Sequence, residues 1–123
     1  MKYNKKQILA KDLINVNIGN PNNLAFTKEN LNFFVSPLFI EPMKLLMDKN
    51  IKTISCGSGV EKNIVPGITC DFNSLNEYNK IIAKKWLFEK NLFRIGYQII
   101  DTTTFFEFEN NLIKLINELK NNT

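Results

Sequence analysis

Apolar and polar side chains alternate strictly over residues 14–18, where Ile14, Val16 and Ile18 are separated by Asn15 and Asn17. A period of two marks a half-buried strand, so the pattern predicts β structure from Leu13 to Ile18 with amides on its solvent side. Gly19, Pro21 and the neighbouring asparagines then predict a turn. Ahead of the strand, residues 1–11 read as a polar arm or a short helix.

The period changes after Thr27, a cap for a helix beginning "KENLNFFV" with Glu29 in its first turn. Ser36 and Pro37 form an N-cap and N1 pair, so the helix breaks there and restarts as "PLFIEPMKLLMDKN", bent again at Pro42. Asn50 is suited to the left-handed exit. The β-rich "IKTISC" (51–56) and "GITCDF" (67–72) flank a glycine- and proline-containing connection without helical period, which predicts an antiparallel hairpin. In the second of these strands Ile68, Cys70 and Phe72 oppose Thr69 and Asp71.

Ser74 and Glu77 have the spacing of a capping box at the head of "SLNEYNKIIAKKWLFEK", with Leu75, Tyr78, Ile82 and Trp86 on one stripe. "LFRIGYQII" alternates once more, placing Phe93, Ile95, Tyr97 and Ile99 inward and Arg94, Gly96 and Gln98 outward. Thr104 and Glu107 form a second capping box for a C-terminal helix over 104–120, with Phe105, Phe108, Leu112, Leu115, Ile116 and Leu119 on one face.

The order β, α, β, β, α, β, α predicts an α+β domain. Its first six elements follow the split βαβ arrangement (βαββαβ) of a ferredoxin-like fold, with a helix added at the C-terminal end. The expected sheet is four-stranded and antiparallel, in the order 4-1-3-2, with the helices on one face. Length bounds this at a single domain over 1–123, and 44% hydrophobic with 23% charged residues is an ordinary globular balance.

In that architecture the open sheet face carries Asn15, Asn17, Thr53, Ser55, Thr69, Asp71, Arg94 and Gln98. A solvated face is one reading. A binding surface is the other, because asparagine and aspartate are poor strand formers and a merely wet face favours threonine, lysine or glutamate. Arg94 could grip a carboxylate or phosphate with both arms of its guanidinium, or pair internally with Asp71.

Charge and chemistry narrow the partners. The net charge is +4, but fifteen lysines and a single arginine are spread among twelve acids without a like-charge block, which argues against nucleic acid and membrane. The open face also lacks aromatics for base stacking. With two cysteines and no histidine, neither a structural zinc site nor a histidine-activated thiol can be assembled, and no cofactor or metal is expected. Cys56 and Cys70 both face inward as small hydrophobes; a cross-strand disulfide would need an oxidising compartment. "CGSG" lacks the lysine, hydroxyl residue and following helix of a phosphate loop, and Ser58 lacks a base. The start has no apolar signal run, and "LNFFVSPLFIEPMKLLM" is too polar to span a bilayer, so the expected location is cytoplasmic with reduced thiols. Abundant asparagine and lysine suggest A+T-rich coding of bacterial or phage origin. The same stretch holds more apolar bulk than one helix face needs, to be covered by the C-terminal helix or by a subunit interface.

The expectation is a small non-enzymatic binding module, a homodimer, whose polar sheet face takes a small polar or anionic ligand or a protein partner. A first alternative is a protein inhibitor or adaptor of the kind mobile elements encode. A second is a small enzyme acting on a phosphorylated or nucleotide substrate, with Asp71 as acid or base and Arg94 and the "GSG" loop holding phosphate.

Overall fold

The computed structural model describes residues 4–14, 16, 25–57 and 65–122, with the side chains of Leu87 and Phe88 excepted. Two short helices come first, α1 (Ala10–Leu13) and α2 (Leu31–Phe34). The main helix α3 (Pro37–Asp48) starts where proline fixes the first turn. Ser36 caps it: its hydroxyl accepts the Leu38 N–H at 3.2 Å and donates to the Leu13 carbonyl at 2.8 Å. Asn50 leaves the helix with φ of 60°, the left-handed exit expected of it. The chain continues through β1 (Thr53–Gly57), β2 (Gly67–Asp71), α4 (Glu77–Ala83), β3 (Leu87–Glu89), β4 (Leu92–Gly96) and α5 (Phe105–Ile116).

The class is α+β, but the ferredoxin-like arrangement is not formed. Its first strand fails: Ala10–Leu13 is helical, Ile14 is in the right-handed helical region, and its N–H donates to the Ala10 carbonyl at 3.0 Å. Ala10, Leu13 and Ile14 are three and four residues apart, so one turn of helix turns all three toward the core, whereas Val16 in the expected alternation stays exposed. Asn15 and residues 17–20 lie outside the described residues. Without that strand β2 pairs directly with β4, antiparallel, and the expected four-stranded 4-1-3-2 sheet is replaced by three five-residue strands, β1-β2-β4, edged by the three residues of β3.

The fifth and sixth expected elements also differ from expectation. The helix predicted from Ser74 to Lys90 stops at Ala83, and its cap is Asn76, whose side chain accepts the Asn79 N–H at 2.9 Å; Ser74 is not the cap. Beyond it, "LFEKNLFRIG" folds as a hairpin through Lys90, which takes φ of 57°. Trp86 continues the apolar surface by stacking on Phe93, ring centres 6.1 Å apart.

The core lies between the sheet and the α3/α5 pair. Ile68, Cys70, Phe93 and Ile95 project into it from β2 and β4, and the Phe39 and Phe108 rings meet edge to face at 5.7 Å between the helices. The surplus apolar bulk of the α2–α3 stretch is thus covered by α5, although Phe33 remains exposed. Thr104 caps α5 as its sequence predicts, accepting the Glu107 N–H at 3.1 Å. The N-terminal segment is docked on this helix: Leu9 bridges Thr104, the Phe105 and Phe106 N–H groups donate to Ile8 and Lys5, and the Lys5 ammonium holds both oxygens of the buried Glu109 at 2.8 and 2.9 Å.

Asparagine side chains close the other end. Asn79, fully buried, donates to the Lys120 carbonyl and accepts the Lys120 N–H, both at 2.9 Å, copying a strand pairing with one side chain. Asn122 accepts from the Asn76 N–H and donates to the Ser74 and Asn50 carbonyls. Replacing Asn79 by alanine strands both backbone groups of Lys120. Loss of about 1–3 kcal/mol in urea unfolding and faster exchange of the Lys120 amide are the expected results.

Candidate functional site

The sheet surface turned away from α3 and α5 is built by the alternation of β2 and β4. Because Ile68, Cys70, Phe93 and Ile95 are buried, Thr69, Asp71 and Arg94 must project to the opposite side. Cross-strand pairing adds Ser55, opposite Thr69, which is itself opposite Arg94. Ser55, Thr69 and Arg94 therefore form one row, and Asp71 sits in the next row opposite the exposed Leu92.

The other four expected residues are not shown beside them. Thr53 pairs with Cys70, an inward position, because an irregularity between Thr53 and Ser55 shifts the register and turns Ile54 out to solvent. Asn15 and Asn17 fall outside the described residues. Gln98 lies beyond β4, exposed, with its amide donating to the adjacent Ile99 carbonyl at 3.3 Å.

Arg94 occupies the centre of the face. Its Nη1 donates to Thr69 Oγ1 at 2.8 Å, its Nη2 to the Gly57 carbonyl at 3.1 Å, and its Nε to the Val65 carbonyl at 3.1 Å. Gly57 and Val65 flank the β1–β2 connection, so one planar guanidinium ties its two ends together. The adjacent backbone is equally close: a Cβ on Gly67 would stand 2.2 Å from the Ile95 carbonyl oxygen, and one on Gly96 2.8 Å from that of Pro66. Glycine at both positions lets the 65–66 segment lie against the end of β4. Burial lowers the Arg94 pKa from its ordinary value, with the charges of Cys56 and Cys70, when ionised, acting the other way.

Arg94 and Asp71 do not pair. The Asp71 carboxylate, half-buried on the same face, has no hydrogen-bond or ion-pair partner among the described residues. Beneath them, both thiols are free; burial pushes Cys56 up to about 12 and Cys70 higher still, with Arg94 partly offsetting each. Cys56 opposes Ile68 and Cys70 opposes Thr53, so the two are not cross-strand partners. They serve as apolar filling. No group of three histidine, cysteine, aspartate or glutamate side chains able to hold a metal occurs among the described residues.

No family model, curated protein or solved structure matches this chain.

Sequence reasoning assigned the outward positions of β2 and β4 but missed two features. The hairpin-tying role of Arg94 depends on carbonyls, which every residue has, so no sequence signal could reveal it. Of the exposed apolar pair Tyr78 and Ile81 on α4, only Ile81 was detectable, since it never fitted the stripe; Tyr78 was expected on that stripe with Leu75, Ile82 and Trp86 and is exposed instead.

A lysine at position 94 has one ammonium for three separated acceptors. Arg94→Lys is expected to cost about 1–3 kcal/mol in denaturant unfolding, an outcome that a purely ligand-facing arginine would not produce. The raised thiol pKa values keep Cys56 and Cys70 protonated well above neutrality, so a thiol reagent at about pH 8 should label the native protein far more slowly than the urea-unfolded chain.

Proposed function

We propose that this chain is a small non-enzymatic binding module whose polar sheet face receives a polar ligand, or a polar segment of a protein partner, that carries both an acceptor and a donor. The observation behind this reading is that Arg94 and Asp71 share a face without pairing. Three bonds immobilise the Arg94 guanidinium, and two of its five N–H groups remain undonated among the described residues. Asp71 offers a carboxylate nearby, and Ser55 and Thr69 add hydroxyls. A donor held rigid beside an unpaired acceptor lowers the ordering cost of binding, which supports recognition over simple solvation.

The same reading keeps the homodimer and the reducing cytoplasm as its setting. Free Cys56 and Cys70 support the second, and exposed Phe33 and Ile54 support the first. No helix among the described residues is long and apolar enough to cross a membrane.

The test compares native mass spectra of the purified wild type and Asp71→Asn. Extra mass retained by the wild type and lost in Asp71→Asn, with unfolding free energy changed by less than about 0.5 kcal/mol, is the expected outcome. Extra mass that survives the substitution would remove Asp71 from the site. A wild type that carries none would overturn the ligand reading.

A further inference from the structure

The helix α4 carries an exposed apolar spot. Its buried side is Asn79, Ile82 and Ala83, which leaves Tyr78 and Ile81, three residues apart, side by side on the outer surface. Tyr78 is 42% exposed, and Ile81, at 64%, is the most exposed large hydrophobic side chain among the described residues. Aliphatic side chains scattered singly need no explanation, but an adjacent aromatic and a mainly basic surround do.

Lysines on and beside α4 make up most of that surround. Lys80 and Lys84 lie 5.9 and 6.0 Å from the centre of the Phe72 ring, and Lys120 lies 4.3 Å from that of Tyr78. Lys85 follows on the same turn. The single acid on the helix, Glu77, is 3.8 Å from Lys80 and almost fully exposed. Lys120 is far away in sequence and reaches this spot because the buried Asn79 amide clamps its backbone on both sides. The amide network at this end thus also positions a cation beside α4.

We infer that the α4 surface around Tyr78 and Ile81 is a docking site for an acidic, partly apolar protein segment, distinct from the polar sheet face. Charge complementarity selects the occupant: four lysines against one glutamate call for carboxylates, and Ile81 calls for an aliphatic or aromatic anchor between them. A second copy of the chain in a two-fold contact would set these lysines against themselves. Nucleic acid would find a single exposed aromatic on this helix, with Lys120 over one face of its ring.

The probe is a fluorescein-labelled synthetic peptide of glutamate and leucine, measured by anisotropy against the full chain. Polyglutamate, oligouridylate and phosphatidylglycerol vesicles serve as competitors. Binding that weakens with salt and falls about tenfold in both Ile81→Ser and Lys84→Gln is expected, with unchanged circular dichroism and weaker competition by the other three. Absence of binding to the wild type, or equal binding by both variants, overturns the inference. Stronger competition by oligouridylate or vesicles overturns it too, and reassigns the face to nucleic acid or lipid.

Discussion

The packing of α3 on α5 governs where everything else can lie. Phe39 and Phe108 meet edge to face between the two helices, and Tyr97 approaches Phe108 from the end of β4 with ring centres 6.5 Å apart. Once these rings are fixed, the inner faces of β2 and β4 have a surface to cover, and Ile68, Cys70, Phe93 and Ile95 become fully buried. The opposite faces of the same strands are then committed to solvent. The position of the polar surface is thus a consequence of the aromatic seam beneath it, through nothing more than the alternation of a strand.

Polar groups then secure what the core leaves loose. The N-terminal segment is held on α5 by backbone hydrogen bonds and by Lys5 against Glu109. Asn76, Asn79 and Asn122 hold the segment after α5 against α4. A buried amide with both its donor and its acceptor satisfied avoids the desolvation cost that would otherwise make it a liability. Arg94 does the same for the ends of the β1–β2 connection. Each of these side chains bridges parts of the chain that are distant in sequence, so each one restrains backbone that hydrophobic burial alone would leave free.

Two surfaces of different character result. The sheet face is polar, with opposite charges on Asp71 and Arg94 that do not neutralise each other. The α4 surface is basic around an apolar centre. Under the two proposals above, these faces would meet unlike partners.

The starts of α3 and α5 were legible in the sequence, whereas the Ser74–Glu77 box yielded to Asn76 as the cap of α4. Ser36–Pro37, Asn50 and the Thr104–Glu107 box stand where their capping chemistry put them, because a cap needs only residues within a turn of itself. The alternation in β2 and β4 was also readable, and with it the outward placement of Thr69, Asp71 and Arg94. The strand expected to begin at Leu13 begins as helix instead, since Ala10, Leu13 and Ile14 satisfy a helical spacing while Ile14 and Val16 satisfy an alternating one, and docking on α3 chose between them. Thr53 was misplaced by a register shift that side-chain pattern cannot reveal. Local sequence therefore determined the caps of α3 and α5, the apolar stripe of α5 and the inward or outward sense of β2 and β4. Tertiary structure decided which strands pair, that Arg94 is spent on backbone carbonyls, and that Lys120 comes to rest on Tyr78. Those outcomes depend on contacts between residues far apart along the chain, whose energies no local pattern encodes.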